Sequence, residues 1–399
     1  MSYSYSTFSR AAFAAALALC ALAAAAAPTL APIPSAPAYG QAVQLQLRDL
    51  TTSVYLPATR YSRNGNNITM EFETVAPTTP ATPELGVAAI DFGELAPGNY
   101  SLEARFYDIA HPTAMVTSVS SGMNVAGPQD WGLYSVPQQP NALEPVQIAV
   151  NSAAFFDPTT LRATQSGNVI RVDFDYYSHS PTIWNNPPPG AVSLASVAVG
   201  GLLPGSYRIE GWGRAKDTGV AERYFTRDMV VASTAWVIEY YSVSMNHYFM
   251  TANPGDIAQL DAGVVADFKR TGHRFKAWLR AQDGPAGVMP VCRFYAAGPS
   301  SHFYSVNAGD CEFLRQLEQT QRAQAQAAGK PFLGWSYEGT AFYSLPPQNG
   351  VCAGGTVPVY RAYNRGITGS NHRFMRDAQQ RAAMLVGWAD EGVAFCAPG

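Results

Sequence analysis

Three histidines recur in the last third of the sequence, each beside aromatic residues: His247 in Asn-His-Tyr-Phe-Met, His302 in Ser-His-Phe-Tyr-Ser and His372 in Asn-His-Arg-Phe-Met. An imidazole in such a setting can contact a polar ligand, hold a metal or pack in the core on one hydrogen bond. Arg293 and Arg361, in Cys-Arg-Phe-Tyr and Tyr-Arg-Ala-Tyr, would supply donors, and Tyr295 and Tyr363 flat apolar faces. A catalytic constellation occurs once per domain, whereas a fold-defining residue or a ligand pocket can occur in every repeat. Recurrence therefore points to structure or binding. The plainer reading of each histidine is a buried ring bonded to a main-chain carbonyl. The functional reading makes His247, His302, His372, Arg293, Arg361, Tyr295 and Tyr363 candidate ligand-binding residues in shallow pockets.

No catalytic residue, cofactor or metal is assigned. The chain has no His-Glu-x-x-His, no Gly-x-Ser-x-Gly and no Gly-x-x-x-x-Gly-Lys motif. Glu338 and Glu391 suggest an acid and base for glycosidic cleavage, yet they occupy matching positions of separate repeats rather than one cleft. Trp278, Trp335 and Trp388 also recur once per repeat and read as core. Trp184, in a turn-rich loop, could touch a partner or pack on its own domain.

Cys292, Cys311, Cys352 and Cys396 form an even set with no Cys-x-x-Cys pair, which favours disulfides over zinc. Of three connectivities, the local one, Cys292 to Cys311 and Cys352 to Cys396, is expected.

These residues need a scaffold that repeats. The strips Val237-Ile-Glu-Tyr-Tyr, Val291-Cys-Arg-Phe-Tyr and Val359-Tyr-Arg-Ala-Tyr each precede one histidine strip. A helical stretch follows, and then an aromatic strip ending near Trp278, Phe342 and Phe395. Each unit reads strand, strand, helix, strand. The second and third units carry Glu-Gly in the last strip, whereas the first has Thr271-Gly272, which argues against three equivalent sites.

Residues 236–398 resemble a widespread family of bacterial extracellular repeats known as domain of unknown function 5648. The resemblance rests on Glu-Tyr-Tyr, His-Tyr-Phe, Cys-Arg-Phe-Tyr, His-Phe-Tyr-Ser, Tyr-Glu-Gly, Asn-His-Arg and the terminal Cys-Ala-Pro. It implies an accessory domain of secreted proteins and no particular activity.

Upstream, three strips recur at an offset of a little over one hundred residues. Ala42–Leu47 matches Pro145–Val150, Asn67–Phe72 matches Val169–Phe174, and Leu95-Ala-Pro-Gly-Asn-Tyr matches Leu202-Leu-Pro-Gly-Ser-Tyr. Alternation at Ile68, Met70 and Phe72 and at Ile170, Val172 and Phe174 predicts half-buried strands. The fold expected is mainly β: two tandem immunoglobulin- or fibronectin-like β-sandwiches, with Tyr100 and Tyr207 as corner tyrosines, then an α+β threefold repeat. The corresponding boundaries are a signal peptide at 1–26, a Pro/Ala-rich linker at 27–39, module 1 at 40–127, a linker at 128–140, module 2 at 141–233 and the repeat domain at 236–398.

Arg10 followed by an apolar Ala- and Leu-rich run and Ala24-Ala25-Ala26 has the form of a cleaved export signal. Leu19 before Cys20 argues against lipidation, and no later run approaches the roughly 18 apolar residues of a membrane span. The expected location is periplasmic or extracellular. With 26 basic against 29 acidic residues among 399, the chain lacks the basic field that nucleic acid requires. The expectation is a non-enzymatic spacer presenting a recognition domain to glycans or cell-surface components. A structural or assembly role and an unrecognised secreted hydrolase are the alternatives.

Overall fold

The computed structural model describes residues 28–48, 53–75, 85–86, 88–178, 186–265, 267–366 and 369–399. The expected signal peptide and Trp184 lie outside the described residues. The first region contains β1 (Thr29–Ile33), β2 (Ala42–Arg48), β3 (Ser53–Tyr55), β4 (Arg60–Asn64), β5 (Asn67–Val75), β6 (Leu85–Gly86), β7 (Ala89–Glu94), β8 (Gly98–Asp108) and β9 (His111–Val125). The stretch read as linker thus includes a strand. Val43, Leu45, Leu47 and Ile90 of the sheet β1-β2-β7 share one core with Ile68, Met70, Phe72, Leu102 and Phe106 of β5 and β8. The period-two pattern buries the apolar face of β5 and β8, as expected, and β5 also buries Glu71 and Glu73 on its other face.

The direction of pairing is not as expected. β5 lies parallel to β8, from Asn67 opposite Ser101 to Thr74 opposite Asp108. Between them the chain crosses to the other sheet through β7. The second region repeats the path with β10 (Gly132–Val136), β11 (Pro145–Ser166), β12 (Val169–Tyr176), β13 (Val192–Gly201), β14 (Gly205–Ala215) and β15 (Ala221–Val231). Here β12 lies parallel to β14, from Val169 opposite Arg208 to Tyr176 opposite Ala215, after an excursion through β13.

A chain that coils round and lays a strand parallel to one already placed has β-solenoid connectivity, and residues from about 67 to 215 are built from such coils. The expected immunoglobulin-like β-sandwiches, antiparallel throughout, are therefore incorrect. Alternation reveals that one strand face is buried and carries no information on the direction of the neighbour. The repeated turns do form alike: Tyr100 Oη donates to the Ala96 carbonyl at 2.8 Å and Tyr207 Oη to that of Leu203 at 2.9 Å. That bond is local, and it fits a coil as well as a sandwich.

The last region holds three units of one plan. They are β16 (Thr234–Ser242), β17 (His247–Thr251), α1 (Pro254–Asp261) and β18 (Phe268–Trp278); β19 (Met289–Ala296), β20 (Ser301–Ser305), α2 (Ala308–Ala327) and β21 (Trp335–Ser344); and β22 (Thr356–Tyr363), β23 (His372–Met375), α3 (Ala378–Met384) and β24 (Ala389–Pro398). Each helix starts at a side-chain cap in the same place, Asn253, Asn307 or Asp377, which accepts from first-turn amides. Val237, Val291 and Val359, one per unit, are fully buried. Phe275, Phe342 and Phe395 meet at the centre with ring centroids 5.9, 5.7 and 5.5 Å apart, so the units close around an axis of aromatic contacts.

The first region joins this ring through β4, whose Tyr61 pairs with Arg270 of β18. Beside that contact, buried Arg60 bonds Glu71 at 2.8 Å, Lys269 reaches the same carboxylate, and Tyr248 Oη donates to the Pro57 carbonyl at 2.6 Å.

Candidate functional site

Strand register sets the equivalences between units. Tyr241 lies opposite Tyr248, Tyr295 opposite His302, and Tyr363 opposite His372. His302 and His372 are thus equivalent, but Tyr248 takes their place in the first unit. His247 falls one residue earlier, where the other units have Ser301 and Asn371. It is buried, with Nδ1 3.0 Å from the Ser300 carbonyl oxygen.

The same register places Glu239 where the other units carry Arg293 and Arg361. On the third strand a bulge interrupts the ladder of each unit and leaves Thr271, Glu338 or Glu391 among the residues without a register partner. A glycine follows each, Gly272, Gly339 or Gly392, with φ of 88°, 107° and 75°. That left-handed conformation is open to glycine at little cost and lets the bulge form.

Each of these clusters is completed by the preceding unit around the ring. Phe249 packs on His302 with centroids 4.6 Å apart, and Phe303 packs on His372 at 5.2 Å. The Arg361 guanidinium lies 5.0 Å from the Phe303 centroid. Closing the circle, Arg373 of the third unit lies 4.1 Å from the Tyr248 centroid and bonds Glu239 at 2.8 and 3.0 Å. Thr271 Oγ1 donates to Glu239 at 2.8 Å.

The three junctions differ in what remains accessible. At the first, Arg373 and Glu239 are only 1% and 5% exposed, and the pair is sealed. At the second, Arg293 is clamped between Asp256 of α1 at 2.7 Å and Glu338 at 2.9 Å, and His302 Nε2 is 3.4 Å from Glu338. Burial alone would raise the Glu338 pKa, but the His302 hydrogen bond and the Arg293 charge outweigh it and hold the carboxyl below its ordinary value.

At the third junction, Arg361 Nε bonds Glu391 at 2.7 Å and its Nη1 is 3.5 Å from the Tyr304 carbonyl oxygen. Asp310 of α2, the counterpart of Asp256, accepts from Ser305 at 2.7 Å and makes no ion pair among the described residues. A cavity of about 610 Å³ opens here, with Arg361, Glu391, Asp310, Met289 and Val393 in its lining. His372 lies behind it, stacked on Tyr363 at 4.8 Å with Nε2 3.5 Å from Glu391. Burial first, and the Arg361 charge second, push the imidazole pKa down to about 3. The ring is therefore neutral near pH 7.

Of the sequence candidates, His302, Arg293 and Tyr295 converge at the second junction, and His372, Arg361 and Tyr363 at the third; His247 joins neither. Sequence reasoning missed Asp256 and Asp310, although each stands three residues after a cap asparagine. Cys292 is bonded to Cys311, tying β19 to α2, and Cys352 is bonded to Cys396 on β24. Among the described residues no cluster of histidine, cysteine and carboxylate side chains could hold a metal ion, and no helix is long and apolar enough to cross a membrane.

Fold and junctions together define a closed, disulfide-stapled domain of three units that repeats a cation–carboxylate–aromatic cluster with variations. Residues 236–398 match the family described as Domain of unknown function (DUF5648). No curated protein matches the chain.

Proposed function

We propose that this chain is an exported, non-enzymatic protein whose N-terminal coils carry the C-terminal domain as a recognition module for glycans or other cell-surface components, seated in the cleft at Arg361. The observation that carries this reading is the opening of the third junction, where the same charged cluster that is sealed at the first faces a cavity of about 610 Å³. Arg361 offers donors, Glu391 and Asp310 offer acceptors, and Met289 and Val393 add apolar surface. Such a mixed lining suits a polar ligand with C–H faces. Recurrence of the cluster favours binding over catalysis. The apolar run after Arg10 and four cysteines joined in two disulfides support an oxidising destination.

The test is an array of glycans and cell-wall fragments probed with the full chain and with Arg361→Met. Retention by the wild type that is lost in the variant is expected. Absence of retention would turn the choice to the structural role, which the sealed Arg373–Glu239 pair already favours for the first junction, and retention equal in both would overturn the seat at Arg361 while leaving the chain a binder.

A further inference from the structure

A second cavity, of about 700 Å³, lies where the two N-terminal regions meet the first C-terminal unit. Its size falls in the range of small-molecule sites, and junctions between domains are where such sites tend to form. Arg274 of β18 stands in its wall with the guanidinium 4.1 Å from the Trp236 ring centroid. Two carboxylates flank it. Asp91 spends Oδ1 on the Gly93 amide at 2.7 Å and leaves Oδ2 4.0 Å from Arg274 Nη2. Glu144 spends Oε2 on the Asn141 amide and side chain at 2.9 and 3.0 Å and leaves Oε1 3.9 Å from Arg274 Nη1.

Both separations exceed a hydrogen bond, and the Arg274 side chain makes no direct one among the described residues. Donors of a guanidinium and acceptors of two carboxylates thus stand at ion-pair distance without a hydrogen bond, a gap that an oxygen lying beside each pair can bridge. The remaining charged groups of the wall are already engaged: Arg270 binds Asp261 at 2.8 and 2.6 Å, Arg63 donates to the Gly65 carbonyl at 2.8 Å, and Glu94 accepts from the Gln138 amide at 2.8 Å. Phe92, Tyr61, Pro254 and Ile257 contribute apolar surface.

An anion entering this gap would meet Asp91 and Glu144, and a cation would meet Arg274. A hydroxyl group meets neither obstacle, since its proton goes to a carboxylate while its oxygen accepts from the guanidinium. We propose that this cleft is a second ligand seat, for a short neutral saccharide whose hydroxyls bridge Arg274 to Asp91 and Glu144 while its C–H faces pack on Phe92 and Ile257. The seat is separate from the cleft at Arg361 and does not depend on it.

Maltotriose, cellotriose and triacetylchitotriose, titrated into the full chain with tryptophan fluorescence and calorimetry, test the assignment. At least one should bind and change the Trp236 emission, a signal that disappears in Trp236→Phe and that reports on this cleft because Trp236 lines it and does not line the cleft at Arg361. Arg274→Met keeps an apolar stem over Trp236 without the donors, and Glu144→Gln removes the charge alone; each should weaken binding by about tenfold or more. If Arg274→Met does not fold, Glu144→Gln decides. No binding of any of the three sugars, binding undiminished in a folded variant, or binding of inorganic phosphate instead overturns the proposal.

Discussion

The first and third junctions of the C-terminal ring use the same backbone positions for opposite ends. At the first, the carboxylate of Glu239 stands at the arginine position and the cation comes from Arg373 of another unit, both withdrawn from water. At the third, Arg361 and Glu391 keep their places within one unit and are 19% and 29% exposed beside a cavity. A buried ion pair that loses one partner leaves an uncompensated charge, whereas in a partly exposed pair solvent compensates much of the loss. The lesson is that a repeated cluster is not one function repeated: exposure decides whether it locks units together or remains available.

The largest effect should come from breaking the sealed pair. Arg373→Met should cost about 3–5 kcal/mol of stability, and Arg361→Met, screened by solvent, about 1 kcal/mol or less. Denaturant unfolding of the two variants measures the contrast, and equal losses would erase the distinction between the junctions. Next come the staples. Replacing Cys292 and Cys311 by serine, or Cys352 and Cys396, should lower stability by about 3 kcal/mol in the chain-entropy model, and peptide mapping of unreduced protein should recover both pairs.

A smaller loss, about 1–3 kcal/mol, is expected for His302→Ala, which leaves Glu338 without one of its partners inside the ring. A loss of ligand retention with unchanged unfolding would instead mark His302 as a contact residue. The finest probe is pH. His372 is held near 3 in the fold against about 6.5 unfolded, so its neutral form is the one the fold accepts. Its contribution is fully present above about pH 6.5 and is lost as pH falls toward 3. His273, which burial holds near 4, acts in the same window, so the readout is the difference in slope between wild type and His372→Gln.

How much of this was legible in the sequence depends on what each pattern encodes. The three units, their strand, strand, helix, strand order and the non-equivalence announced by Thr271-Gly272 follow from residue type and order, because each is a local matter. The misplacement of His247 came from matching by type. Tyr241 is seven residues from Tyr248, as Tyr295 is from His302, and that shared spacing of the first two hairpins identifies Tyr248 as the equivalent residue; the third hairpin is two residues longer. Pairing direction in the N-terminal coils was not legible, since Ile68, Met70 and Phe72 would alternate identically beside a parallel or an antiparallel neighbour. Arg274 was invisible for a different reason: its carboxylate neighbours come from residues 91 and 144, far away in the chain.

The three phenylalanines at the ring centre impose an arithmetic on the gene. Each unit donates one ring to a triangle that is already complete, so a fourth copy would find no vacant corner and a lost copy would leave two rings facing water. The coils upstream obey no such count, because the last strand of each region, β9 beside β8 and β15 beside β14, is paired on one side only among the described residues and still offers an edge. Duplication can therefore lengthen one end of this polypeptide by increments, while at the other it can only diversify what the existing three copies do.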